Sequence, residues 1–257
     1  MDIITLNNEK GILNFIPYHT DSLRMENKIY TPEDFKEGQI LLFDKPLGWT
    51  SFQVVNKVRW LIRKSCNIKK IKVGHAGTLD PLASGLLIIC TGKFTKKIDE
   101  LQGQEKEYTG TFTLGATTPS YDMETEVDET FETSHISDED IEGAALEFLG
   151  EIDQVPPKYS ALKKDGKRYY DYARNGEELE IPSRKTTIEE FEITEVRFPE
   201  VDFRIVCSKG TYIRSLANDF GKALGTGAYL SSLRRTKIGG FLVDEALDVE
   251  SFEKLLP

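Results

Sequence analysis

The chain is poor in the residues from which metal, disulfide and redox chemistry is usually built. Its 257 residues include three cysteines, Cys66, Cys90 and Cys207, and three histidines, His19, His75 and His135. No two cysteines have metal-ligand spacing, and an odd count excludes a fully paired disulfide framework. Histidines this far apart do not form a sequence-local zinc site. No apolar run approaches a membrane span, and the N-terminus lacks a charged-then-apolar export pattern. A cytoplasmic protein is therefore expected. There is no P-loop and no dinucleotide fingerprint. Basic residues are also in deficit: the net charge of −10 argues at first sight against a polyanionic partner.

The charge is unevenly distributed. Residues 56–97 hold ten Lys and Arg and the single acid Asp80, a net of +9. Residues 122–153 hold 13 acids and no Lys or Arg, whereas residues 158–174 return to a net of +4. Such blocks allow one face to meet phosphates while an acidic back keeps the chain soluble. Solvated helix faces are the alternative reading of the same blocks.

Hydrophobic patterning predicts an α+β fold with a largely antiparallel mixed sheet flanked by helices. Strands are expected at 39–44, 86–90, 108–114, 185–197, 201–207 and 229–236. Helices are expected from Thr50 or Ser51 to Lys64, and over 93–101, 138–149 and 211–224. The main body is expected to span residues 37–240. Residues 1–36 are expected to be an appendage, 241–257 a short tail, and 158–184 a basic, tyrosine-rich insert. The insert interleaves Tyr159, Tyr169, Tyr170 and Tyr172 with Lys and Arg. That composition suits stacking on bases beside phosphate contacts, and equally an ordinary amphipathic hairpin and helix.

The most informative stretch is Gly74-His75-Ala76-Gly77-Thr78-Leu79-Asp80-Pro81-Leu82-Ala83-Ser84-Gly85. Its glycines allow tight turns, and Pro81 pushes Asp80 toward extended backbone. Leu79, Leu82, Leu86 and Leu87 frame a single acid, and an ionised carboxylate in apolar surroundings needs a cation or several donors to hold it.

This stretch resembles the signature of the TruB family of tRNA pseudouridine synthases. Four more agree in the family's order: Asp44-Lys45-Pro46-Leu47-Gly48-Trp49-Thr50-Ser51, Lys106-Glu107-Tyr108, Pro157-Lys158-Tyr159-Ser160-Ala161-Leu162-Lys163 and Ser208-Lys209-Gly210-Thr211-Tyr212-Ile213-Arg214. The resemblance implies isomerisation of a uridine in the TΨC loop of tRNA to pseudouridine. The base is flipped out, its bond to ribose C1′ is cleaved, and C1′ is rejoined to C5. An isomerisation of this kind calls for no cofactor and no metal. The implied partner is tRNA, held by its T arm and loop. No membrane and no obligatory protein partner are implied, and a monomer is expected. Many family members carry a further C-terminal RNA-binding domain, and residues 241–257 are too few to supply one.

The resemblance also implies roles. Asp80 is the catalytic carboxylate, and Arg214 is the cation opposite it; a guanidinium can hold a carboxylate bidentately, and equally serve a structural salt bridge elsewhere. Tyr108 stacks on the base or relays a proton, although a lone strand tyrosine also suits simple packing. His75 either wedges into the RNA loop or caps the turn. Tyr212 orders the site if the chain is still extended there, and Leu233 lines the pocket. Asp122 packs near the site or serves a turn. Lys96, Lys163, Lys164, Lys167 and Arg168 are expected to hold phosphates. Two other readings are a guide-RNA-dependent pseudouridine synthase and a non-catalytic tRNA-binding or folding module.

Overall fold

The computed structural model describes residues 29–160, 162–164, 166–175 and 180–257. Most of the expected appendage therefore lies outside the described residues, as do the side chains of Lys163, Lys164 and Arg168. In chain order the first half comprises α1 (Pro32–Glu37), β1 (Ile40–Lys45), α2 (Ser51–Ser65), β2 (Val73–His75), β3 (Ala83–Thr91), a 3-10 segment (Gly92–Lys97), α3 (Ile98–Gly103), β4 (Lys106–Leu114), β5 (Ala116–Thr117), β6 (Glu129–Thr130) and α4 (Asp138–Glu147). Then follow β7 (Gly150–Gln154), β8 (Lys163–Lys164), β9 (Lys167–Arg168), α5 (Tyr169–Arg174), β10 (Arg184–Arg197), β11 (Glu200–Cys207), α6 (Ile213–Ala223), β12 (Ala228–Ile238), β13 (Phe241–Leu242) and α7 (Val249–Lys254).

A nine-stranded sheet organises these elements in the order β1-β3-β12-β4-β11-β10-β7, with β13 on β12 and β2 on β3. Every pairing is antiparallel except β12 with β3, so the fold is α+β with a mixed sheet. That one parallel pairing matters for the site, because it sets Leu233, Arg234 and Arg235 beside Ala83, Ser84 and Gly85. The glycine-rich stretch and the end of the chain thus meet in the middle of the sheet.

Local sequence explains the helices that frame it. Thr50 caps α2 by accepting from the Gln53 backbone N–H, and the Gln53 side chain reaches back to Thr50. Val54, Val55, Val58, Leu61 and Ile62 then lie on one buried face against Leu41, Phe43, Leu87 and Ile89 of the sheet. On the other side, α6 buries Ile213, Leu216, Ala217 and Phe220 against Tyr108, Phe112 and Phe203. Cys66, Cys90 and Cys207 are free and buried, and burial pushes the thiols of Cys90 and Cys207 up to about 11 and about 12.

Three expectations are corrected. The helix expected over 93–101 divides into the 3-10 segment, which has no side-chain cap at Thr91, and α3. Residues 29–36 are part of the body: Tyr30 and Phe35 are buried, their rings stacked at 5.2 Å between centroids. Residues 241–257 do not trail. The Leu247 carbonyl accepts from the Asp44 N–H, the Leu247 N–H donates to Leu42, and Phe252 packs edge-on against Phe43 and Phe35. Among the described residues, no helix is long and apolar enough to cross a membrane.

Candidate active site

Asp80 sits in the loop between β2 and β3, and two distant segments hold that loop. The Ser51 hydroxyl, at the start of α2, accepts from the Leu79 N–H at 2.8 Å and donates to the Leu79 carbonyl at 3.1 Å. The Gly48 N–H donates to the Pro81 carbonyl at 2.8 Å. The Asp44–Ser51 stretch thus acts as a brace for the acid's backbone. From below, the guanidinium of Arg235 donates to the carbonyls of Leu86, Gly77 and Thr78 at 2.8, 3.1 and 3.5 Å. Arg235 is only 1% exposed. Gly85 has φ +102°, and a Cβ there would come within 2.3 Å of the Arg235 carbonyl oxygen, so only glycine fits.

The side chain of Asp80 is 40% exposed, and its Oδ2 lies 3.0 Å from Nε of Arg214, which is 4% exposed. Asp122 Oδ2 is 3.6 Å from the same nitrogen. The expected bidentate clamp is not formed. Arg214 directs its two other nitrogens to backbone carbonyls, Nη1 to Ser120 at 3.3 Å and Nη2 to Tyr159 at 2.9 Å. Its Nε–H makes no in-line hydrogen bond, so the contact with Asp80 is an ion pair. One buried cation therefore faces two carboxylates. Asp122 is the buried one, and its Oδ1 accepts from the Glu124 N–H at 2.9 Å.

Both residues of the pair open into a cavity of roughly 720 Å³ that Tyr108, Tyr212, Leu233, Arg235 and Ser160 also line. Tyr108 is buried on β4 opposite Arg235. Burial raises its phenol above the usual value of 10, while the Arg235 charge pulls it back down. Tyr212 precedes α6 in an extended conformation, φ −101° and ψ 108°, and shares the wall with Arg214. Its backbone is gripped by the Gln154 side chain, which accepts from the Tyr212 N–H at 2.8 Å and donates to the Tyr212 carbonyl at 3.1 Å.

His75 ends β2 and is half-buried, with Nδ1 lacking a partner among the described residues. Burial and the neighbouring Arg235 charge lower its pKa below 6.5, which favours a neutral ring. Lys96 is exposed in the 3-10 segment, about one turn before the cavity-lining Asp99. Lys167 places its ammonium 4.2 Å from the Tyr172 ring.

Sequence reasoning did not single out Arg235, Gln154 or Lys45. Lys45 is fully buried, with Nζ donating to the carbonyls of Trp49 at 2.6 Å and Pro46 at 3.0 Å. Burial lowers it to about 8, although Asp80 pulls the other way. A usable signal was the period of two: Arg235 follows Leu233 onto the same face of β12, and Lys45 continues the buried run of β1.

Comparison with known proteins gives this geometry its context. A solved chain in "Crystal Structure of a Cbf5-Nop10-Gar1 Complex" superposes with a TM-score of 0.64 at 31% identity, covering 89% of this chain and 59% of that one. Another, in a structure of an H/ACA RNP bound to a substrate RNA containing 2′-deoxyuridine, gives 0.61 at 29% identity, covering 89% and 58%. The chain spans less than two thirds of the length of these solved chains. The family model for TruB family pseudouridylate synthase (N terminal domain) matches residues 63–213, and that for the tRNA pseudouridylate synthase B C-terminal domain matches residues 214–256. The second match takes in most of the stretch read from sequence as a tail. The class is therefore that of the pseudouridine synthases. Within it, the chain belongs to the TruB family: a Flavobacterium johnsoniae tRNA pseudouridine synthase B is 65% identical over 88% of this chain and 99% of its own length. A Phocaeicola vulgatus protein of the same name is 56% identical over 87% and 95%.

Proposed function

We propose that this protein isomerises a uridine in the TΨC loop of tRNA to pseudouridine. The observation that carries the reading is the Asp80–Arg214 ion pair at 3.0 Å, opening into a cavity shared with Tyr108 and Tyr212. The chemistry breaks the bond between ribose C1′ and uracil N1, turns the base, joins C1′ to C5 and releases the C5 proton. Asp80 is the carboxylate that acts on the ribose, and Arg214 is the cation that faces it. Tyr108 and Leu233 pack on the detached base, Tyr212 orders the wall, and the Tyr108 phenol serves the C5 proton. The buried surroundings limit water access while the base is free. His75 fills the space left by the extruded nucleotide.

Phosphate contacts come from Lys96 and from the insert residues Lys163, Lys164, Lys167 and Arg168. The protein acts as a monomer in the cytoplasm and needs neither a guide RNA nor a protein partner. The relatives named tRNA pseudouridine synthase B, at 65% and 56% identity and matched over nearly their whole length, favour this over the guide-dependent reading.

The test is release of label from uracil C5 of a tRNA transcript by the purified protein alone, with the modified position mapped. Turnover at a single T-loop uridine is expected. Tight binding without label release would favour a non-catalytic module, and release only with added guide RNA would favour the guide-dependent enzyme.

A further inference from the structure

Arg184 is the one cation of the cavity wall that is stacked on a ring there, yet no described carboxylate answers it. It opens β10, paired across the sheet with Gln154 of β7. Its guanidinium carbon lies 4.7 Å from the centroid of the Tyr212 ring, and Nη2 donates to the Gly210 carbonyl. Nε is buried and has no hydrogen-bond partner among the described residues. Lys185, the next residue, is different: Glu151 and Asp153 sit 2.7 and 3.8 Å from its ammonium and neutralise it. Lys209, beside the tight turn at Gly210, lines the same cavity.

The stack is held in place from two sides. Gln154 fixes the Tyr212 backbone through paired hydrogen bonds, and Arg184, its cross-strand partner, covers one face of the ring. The guanidinium is thereby preorganised with its charge unanswered by any described carboxylate. A planar cation in that condition is matched to an oxyanion that accepts from a fork of donors. In a cleft that admits RNA, the oxyanion is a phosphodiester.

We propose that Arg184, with Lys209 beside it, forms a phosphate-binding site at the cavity rim for the phosphodiester next to the flipped nucleotide. This rests on the tRNA reading above. Tyr212 then has two partners, the guanidinium on one face and the RNA on the other, and the phosphate fixes how deeply the nucleotide enters.

The test uses a T-arm stem-loop RNA, the wild-type protein, Arg184→Gln and Arg184→Lys. Affinity is measured across a salt series, and RNAs carrying a single neutral methylphosphonate are scanned through the phosphates flanking the target uridine. Arg184→Gln should weaken binding about tenfold and lower the log–log salt slope by about one unit. Arg184→Lys should keep the slope. In the wild type, one methylphosphonate position should reproduce the loss, and at that position Arg184→Gln should cost nothing further. An unchanged affinity and slope would overturn the proposal. So would losses that simply add at every position, or a fall in turnover alone, which would make Arg184 a prop for Tyr212. The methylphosphonate scan uses native protein and does not depend on the variants folding. Conversion of the unmodified RNA by the wild type is scored separately, so failure of the tRNA reading shows itself there.

Discussion

Nε of Arg214 lies 3.0 Å from Oδ2 of Asp80, but solvent reaches 40% of the Asp80 side chain and only 4% of the Arg214 side chain. The pair is therefore asymmetric. The cation is anchored inside by the carbonyls of Ser120 and Tyr159, and the carboxylate is presented to the cavity. Asp122 faces the same nitrogen from the buried side, at 3.6 Å.

Removing the guanidinium should accordingly damage both stability and chemistry. Arg214→Ala leaves Asp122 buried without its cation and two carbonyls without donors, a loss of about 3–5 kcal/mol. Arg214→Lys has one nitrogen where three were used, so it should recover part of the stability and little activity. Urea midpoints and single-turnover rates on both variants check this. A lysine variant with near-native rates would show that charge alone suffices.

Tyr108→Phe keeps the ring and removes the phenol. RNA affinity should be unchanged, and the rate should fall by about 10²–10⁴. Burial holds the phenol protonated past pH 10. The rate profile of the wild type should therefore show no limb from Tyr108 below that pH. An unchanged rate in the variant would reduce Tyr108 to a packing ring.

Lys45 gives a pH dependence with a defined sign. Its folded pKa of about 8 lies below the ordinary 10.5, so between these values the unfolded chain holds a proton that the folded chain has lost. Stability due to this group must then rise with pH across that window, by up to about 1.4 kcal/mol per pH unit. The stability difference between wild type and Lys45→Met should grow in favour of wild type from pH 8 to pH 10. A difference that stays flat would mean that Lys45 remains charged in the fold.

Two glycines should respond in opposite ways to alanine. At Gly85 the φ of +102° and the 2.3 Å approach of the Arg235 carbonyl make Gly85→Ala destabilising by several kcal/mol, about the size of a severe core substitution. Gly143, inside α4, has open space around its Cβ position, and Gly143→Ala should stabilise by about 0.5–1 kcal/mol. Thermal denaturation of the two variants decides.

Much of this was legible in the sequence, for physical reasons. The apolar run after Gly85, the Thr50 cap and the alternation from Tyr108 to Leu114 are local signals, and they placed β3, α2 and β4. Asp80, Arg214 and Tyr212 were named from short motifs that resemble the family's, and the structure brings them to one cavity. What escaped depends on contacts between distant parts of the chain. Phe252 and Phe35 look unremarkable in polar surroundings, yet they close one end of the core on Phe43. The bidentate clamp expected of Arg214 failed because the carbonyls of Ser120 and Tyr159 take two of its nitrogens. No local pattern reveals that competition. Gln154 and Arg184 acquire meaning only once β7 and β10 pair beside Tyr212.

The central claim is that the Asp80 carboxylate performs the chemistry while other groups hold the RNA. Asp80→Asn is nearly the same shape and lacks only the charge. With a tRNA transcript labelled at uracil C5, the variant should release no label above background and should bind the tRNA within about tenfold of wild type, or about 1.4 kcal/mol. Sustained label release by Asp80→Asn, or by Asp80→Ala beside it, would contradict the account.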